Sequence, residues 1–126
     1  MRGCYYEKAI SAEKYAFLRK GLQEAVQANI LAQLHSGVTT IRSLGEICHT
    51  DLHNRDRINK GEYIGPRVLV AGCGVTGIEG HMVGSMAVEC DSSEKSRSLV
   101  EAEVKKSVDW IKIFVTGGIL DSNVAY

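Results

Sequence analysis

A repeating apolar pattern near the start of the chain predicts one long helix over residues 11–37. Leucine, valine and isoleucine recur at every fourth position from 18 to 34, which places them along one stripe of a helix. Ser11 is a suitable N-cap, and Gly37 can adopt the left-handed conformation that ends a helix. We therefore expect an amphipathic helix with a single apolar face.

Three later runs rich in β-branched residues predict strands, at residues 38–41, 66–72 and 110–115. A second helix is predicted over residues 52–60, with Asp51 as its cap and Gly61 as its stop. A third begins at a capping box, Asp91-Ser92-Ser93-Glu94. The resulting order, α, β, α, β, α, β, predicts an α/β fold with a parallel sheet and right-handed crossovers.

The predicted strand at residues 110–115 carries the most informative polar residue. Its run of aromatic and β-branched residues is typical of a strand buried on both faces, yet Lys112 lies inside it. An unpaired charge there would be costly, so the lysine either extends its amine to solvent from the strand end or has a specific role. The turn Thr116-Gly117-Gly118 follows directly.

A formal GxGxxG pattern spans residues 72–77, after the second strand, with Asp91 about twenty residues on. A dinucleotide fingerprint must open a helix, and Gly80 and Gly84 argue against a helix here. We favour a glycine-rich loop from Cys73 to about Gly84.

Histidines supply the other candidate groups. His49 and His53 have the i, i+4 spacing of a metal clamp, with Asp51 between them, but a cap at Asp51 would separate them. We therefore expect a solvated helix start. His81 differs, because it lies in the loop after a strand, on the face where α/β barrels hold their chemistry.

Composition narrows the function classes. The 126 residues include fifteen basic and fifteen acidic side chains, so nothing indicates a nucleic-acid or anionic membrane surface. The four cysteines lack CxxC spacing, and we expect a cytoplasmic protein with reduced thiols. Length predicts a single domain over residues 1–126.

Four stretches, in order, resemble the metal-dependent amidohydrolase superfamily, in its prolidase and imidazolonepropionase-like branch. They are residues 37–45 (GVTTIRSLG), 55–61 (RDRINKG), 65–72 (GPRVLVAG) and 109–118 (DWIKIFVTGG). The resemblance implies a partial (β/α)8 TIM barrel, holding about strands two to four with their helices.

The resemblance also implies chemistry. Lys112 matches the family's carboxylated lysine, which bridges two divalent ions, here expected to be zinc. His81 matches a histidine that contacts substrate. The implied reaction is hydrolysis of a peptide-like or cyclic amide C–N bond. Ser43 stands where relatives commonly have aspartate, which puts the local salt bridge of Arg42 in doubt.

The departures from the family pattern leave two function classes open. The His-x-His that should precede the first helix is absent, and other ligands would lie beyond Tyr126, so Lys112 is the one metal ligand that this chain holds. The chain is then part of a hydrolase or a non-catalytic barrel fragment that acts as an interaction module; a nucleotide-binding domain ranks third. A partial barrel exposes sheet edges, so we expect a homo-oligomer or a missing barrel half as partner.

Overall fold

The computed structural model describes residues 16–118. Its helices and strands, in chain order, are α1 (Ala16–His35), β1 (Thr40–Arg42), a 3-10 turn (Ile47–His49), α2 (Thr50–Asn59), β2 (Arg67–Leu69), β3 (Gly74–Thr76), β4 (Ala87–Glu89), α3 (Ser93–Lys105) and β5 (Ile113–Phe114). None of the helices in this range is long and apolar enough to cross a membrane.

Helix α1 ends as the sequence predicts. Gly37 has a φ of 96°, its N–H donates to Leu34 O, and Val38 N–H donates to Gln33 O, each at 3.0 Å. This pair of bonds is the Schellman motif, which needs a left-handed residue at its centre. The predicted cap at Ser11 lies outside the described residues.

Helix α2 ends in the same way at Gly61, whose φ is 72°. Gly61 N–H donates to Ile58 O at 2.9 Å, and the next N–H donates to Arg57 O at 3.0 Å. The predicted start is wrong, since α2 begins at Thr50, with His49 in a left-handed conformation before it. Asp51 is therefore inside the helix and does not cap it.

Helix α3 begins one residue later than the predicted capping box. Ser92 is the N-cap, because its Oγ accepts from Lys95 N–H at 3.3 Å. Asp91 instead pairs with the side chain of Lys95. The buried face of this helix is not purely apolar, since Val104 is exposed while Glu103 is buried.

The described strands form two small sheets in which every pairing is parallel. In the first sheet, β1 pairs with β2. In the second, β3 lies between β4 and β5. The predicted α/β class with parallel strands is confirmed, although these five short strands do not themselves form a closed barrel.

The sequence predicts a loop from Cys73 to about Gly84, but this glycine-rich segment contains strand β3. Gly74 begins this strand and packs closely, since a Cβ atom there would lie 2.7 Å from Phe114 Cε2. A dinucleotide fingerprint opens a helix, whereas here residues 74–76 form a strand. The glycines at 72–77 therefore do not form such a fingerprint.

A bend at Gly72 joins β2 to β3, and its φ is 68°. The segment that leads to β5 bonds to both sides of this bend. Before it, Val70 O accepts from Asp109 N–H at 2.8 Å; after it, Val75 N–H donates to Lys112 O at 2.8 Å. Residues 67–76 thus run as one bent strand through the centre of the structure.

The hydrophobic core lies where α2 packs on β2. Leu52, Val68 and Val70 are buried together, with Ile58 and Val108 packed against them. The far end of the sheet differs. Ile113 is 59% exposed, so the prediction of a last strand buried on both faces is wrong for the described residues. The physical reason is that, among the strands that the structure describes, β5 pairs with β3 alone and forms the sheet edge.

Candidate functional site

The two site residues predicted from the sequence, Lys112 and His81, contact the same aromatic ring. Lys112 Nζ lies 4.6 Å from the centroid of the Phe114 ring, in a cation–π contact. The His81 ring lies 5.4 Å from the same centroid at an interplanar angle of 69°. The structure therefore brings an amine and an imidazole together beside β5.

Two glycines make room for this group. A Cβ atom on Gly74 would lie 3.3 Å from Lys112 Cγ, and one on Gly118 would overlap the His81 ring. Gly118 belongs to the Thr116-Gly117-Gly118 turn that the sequence singled out. The turn therefore brings the backbone close to His81, which a larger residue would prevent.

A second cation–π pair lies nearby in the sequence, at Trp110, two residues before Lys112. The Arg42 guanidinium, at the end of β1, lies 5.4 Å from the centroid of the Trp110 ring. Trp110, Lys112 and Phe114 are two residues apart, so an extended backbone directs them to one side. Ser43 Oγ is buried and has no hydrogen-bond partner within the described residues, so Ser43 does not supply the ion pair that an aspartate there could make.

A buried charged group lies beside the bend at Gly72, and it was not predicted from the sequence. The Glu103 carboxylate, in a residue only 2% exposed, accepts hydrogen bonds from Cys73 N–H at 3.2 Å and from Lys106 Nζ at 2.8 Å. His49 Nε2 lies 3.0 Å from Glu103 Oε2. We assign the ring proton to Nε2, because the Glu103 carboxylate can only accept a hydrogen bond; Lys106 Nζ, which lies 2.9 Å from Nε2, then donates to Glu103 Oε1 and not to the ring.

These contacts keep Glu103 ionised. Burial alone would raise the pKa of Glu103, but the hydrogen bonds from His49 and Lys106, with the amide of Cys73, lower it from 4.5 to about 2. Asp51 is equally buried, and its Oδ2 accepts from the backbone N–H groups of Ala71 and Gly72 at 3.3 and 3.1 Å. The two carboxylates thus bind neighbouring parts of the bend.

Comparison with solved structures shows what this arrangement is similar to. A protein from Bifidobacterium longum, described as a prolidase, is 38% identical over 76% of this chain, with a TM-score of 0.68. A Xaa-Pro dipeptidase with methionine bound in its active site is 27% identical over 82% of the chain, with a TM-score of 0.72. The chain belongs to the amidohydrolase superfamily.

A further likeness, to the ochratoxinase of A. niger, has a TM-score of 0.72 over 81% of the chain at 17% identity, and shows the fold alone. The amidohydrolase segment spans 24%, 29% and 28% of the three structures, about a quarter of each. No protein-family model and no curated protein matches the sequence.

The described residues of this amidohydrolase segment include no group of three or more histidine, cysteine or acidic side chains that could hold a metal ion. His49 and His53 do not form a clamp, since His49 binds Glu103 while His53 is exposed. The expectation that His49 is solvated is wrong, because its side chain is only 14% exposed.

The sequence contains little that could have indicated the buried carboxylates. Glu103 lies 54 residues from His49, and it follows the same helical pattern as exposed charged residues. The sequence predicts a role for Asp51, but as the cap of α2 and not as a buried carboxylate. Only the packing of α2 and α3 against the bend makes both residues internal.

Proposed function

We propose that this chain is part of a hydrolase that cleaves a peptide-like or cyclic amide C–N bond, and that residues 1–126 form one partial (β/α)8 barrel domain with about strands two to four. The family membership supports the reaction class. The parallel pairing of every described strand supports the barrel, since parallel strands joined by helices are its repeating unit.

The observation that carries the proposal is the contact of Lys112 and His81 with Phe114. Lys112 is half-buried, and within residues 16–118 no carboxylate lies within ion-pair distance of it. A partly buried ammonium without a counter-charge is unfavourable, and the ring face offsets only part of that cost.

We assign Lys112 the role of a carboxylated metal ligand. The ammonium loses one proton, the neutral amine adds to carbon dioxide to form an N–C bond, and the adduct loses a second proton, which leaves a carbamate anion. Lys112 would then supply one anionic ligand to two divalent ions, which we propose are zinc. When bound, such ions lower the pKa of a water and polarise a carbonyl.

His81 is proposed as a substrate contact. It lies in the segment after β3, and the Gly118 backbone approaches its ring. A neutral imidazole can either donate to or accept from a polar group of the substrate. Its position against Phe114 holds it beside Lys112, so a substrate bound near the amine would also be within reach of the imidazole.

The substrates that we propose are small and dipeptide-like. One solved relative is a Xaa-Pro dipeptidase with bound methionine, and a structure 24% identical to this chain is a prolidase with N-methylphosphonate-L-proline. The first relative supports an amino-acid-sized ligand for this part of the family.

A non-catalytic role as an interaction module is the second candidate. Ile113 and Val115 are 59% and 87% exposed at the edge strand, and the described residues hold no metal-binding group. Both features are expected of a fragment that functions only when bound to a second copy of itself or to the rest of a barrel.

A chimera separates the two candidates. Residues 16–118 would replace the matched quarter of the Bifidobacterium longum protein, and hydrolysis of a set of Xaa-Pro dipeptides would be measured with zinc and bicarbonate present. We expect turnover by the chimera and its loss in Lys112→Met. Lys105→Met changes an exposed lysine at the end of α3 and should leave turnover unchanged.

A folded chimera without turnover would favour the interaction module. Turnover that survives Lys112→Met would remove the metal-ligand role of this lysine while leaving the reaction class intact.

A further inference from the structure

Four consecutive backbone N–H groups at the bend between β2 and β3 donate to side-chain carboxylates from three different parts of the chain. We name Asp51, Glu103 and Asp109 the carboxylate clamp. The bonds are Val70 N to Asp109 Oδ2 at 2.8 Å, Ala71 N and Gly72 N to Asp51 Oδ2 at 3.3 and 3.1 Å, and Cys73 N to Glu103 Oε2 at 3.2 Å.

The clamp satisfies groups that the sheets leave unpaired. The left-handed turn at Gly72 rotates the backbone, so the amides around it do not meet a neighbouring strand. A buried amide without an acceptor is costly, and ionised acceptors make the strongest replacements. Glycine is required here, because a Cβ atom would overlap the Glu103 carboxylate and lie 3.1 Å from Val108 Cγ1.

The same bend fixes the segment that carries Lys112. Asp109 and Trp110 donate to Val70 O before the bend, and Lys112 O accepts from Val75 N–H after it. Asp109 also contributes to the clamp itself. A change in the angle of the bend must therefore move Lys112 relative to β3, and with it the contact between its amine and Phe114.

Positively charged side chains lie beside two of the three clamp carboxylates. Glu103 contacts Lys106 and His49, and Arg55 Nη1 lies 3.9 Å from Asp109 Oδ2. The clamp thus connects α2, α3 and the segment before β5 to one short piece of backbone.

We propose that the carboxylate clamp positions Lys112, so that Asp51, Glu103 and Asp109 are positioning residues for the site beside Phe114. This inference rests on the proposed role of Lys112, but its test needs neither metal nor substrate. Failure of the clamp and failure of the proposed reaction are therefore separate results.

The experiment is nuclear magnetic resonance on the full chain, comparing wild type with Glu103→Gln. Two readouts are followed: the nuclear Overhauser contacts between the Lys112 side chain and the Phe114 ring, and amide hydrogen exchange at residues 71–73. In Glu103→Gln we expect the Lys112–Phe114 contacts to be lost and these amides to exchange roughly tenfold faster.

Two controls distinguish positioning from general destabilisation. Glu101→Gln removes an exposed carboxylate from α3 and should change neither readout. Ser92→Ala removes the α3 cap, so it should lower the melting temperature while the Lys112–Phe114 contacts persist.

If Glu103→Gln does not fold, Asp109→Ala decides the question, since Asp109 is partly exposed and its loss removes one acceptor of the clamp, that of Val70 N–H, together with the exposed contact to Arg55. We expect the Lys112–Phe114 contacts to weaken there too. Unchanged Lys112–Phe114 contacts in a folded variant of either residue would overturn the proposal, whatever the variant does to the melting temperature.

Discussion

Strands β2 and β5 belong to the two different parallel sheets and differ sharply in burial. Val70, directly after β2, is fully buried against α2, whereas Ile113 in β5 is 59% exposed and Val115 is 87% exposed. Both segments are rich in β-branched residues. The difference comes from their neighbours. Strand β2 pairs with β1 and is covered by α2 through Leu52, and the carbonyl of Val70 directly after it accepts from Asp109 and Trp110. Within residues 16–118, β5 pairs with β3 alone.

The comparison indicates a division between the parts that stabilise this piece and those that serve its proposed chemistry. The buried apolar residues and the carboxylate clamp lie around β2 and the bend. Lys112, Phe114 and His81 lie around β5, where apolar side chains still face solvent. The segment around β5 has the composition of a barrel strand, but its apolar side chains are not covered by other described residues as they would be inside a closed barrel.

The largest effect should come from the core around β2. Leu52→Ala removes a buried side chain that packs on Val68 and Val70, and should lower the free energy of unfolding by about 3 kcal/mol. Val115→Ala should change it by less than about 0.5 kcal/mol, because Val115 is exposed. Urea denaturation of both variants measures this difference; similar losses would contradict the division.

The second effect is the pH dependence from Glu103. Its pKa falls from 4.5 to about 2 on folding, so the ionised group stabilises the fold above pH 4.5 and loses this contribution as the pH falls through about 2. We expect a contribution of at most about 2 kcal/mol, since solvent screens part of it.

The measurement is the free energy of unfolding of wild type and Glu103→Gln at pH 7, 5 and 3. The gap between them should narrow at the lowest pH. Glu46 acts in the opposite direction, because burial and the nearby Asp51 raise its pKa, and comparing the two proteins cancels that contribution. A gap that stays constant with pH would show that Glu103 acts through packing alone.

The smallest effect on stability should come from the edge strand, where the effect is instead on association. Val115→Lys places a charge at an exposed position directly after β5 and should shift an oligomer toward the 13.8 kDa monomer, with less binding of a hydrophobic dye. Val104→Lys, on α3, is the matched control and should change neither. Light scattering after size exclusion checks both, and a wild-type monomer that binds no dye would contradict an uncovered edge.

The sequence predicted features that depend on nearby residues. The stops at Gly37 and Gly61 follow from a few residues on either side, and the alternation of helices and strands predicted parallel pairing. Strand β3 was missed because Gly74 has no side chain to contribute to a pattern. The burial of Glu103 was missed because it depends on His49, which is 54 residues away in the chain.

The candidate site was also predictable only in part, because local motifs identify its residues but contacts between distant parts of the chain bring them together. Lys112 and His81 were identified from local motifs and a family resemblance, but their common contact with Phe114 depends on the bend at Gly72 and the pairing of β3 with β5. No short stretch of sequence contains that information.

The most direct test of the central claim, that this segment supplies one ligand to a centre completed elsewhere, is native mass spectrometry of the chain and of the chimera described above. The account predicts no carbon dioxide adduct and no stoichiometric metal on the isolated chain, and both a carbamate and two divalent ions on the chimera. An isolated chain that carries two zinc ions or a carbamate, or an active chimera in which Lys112 stays an unmodified amine, would contradict it.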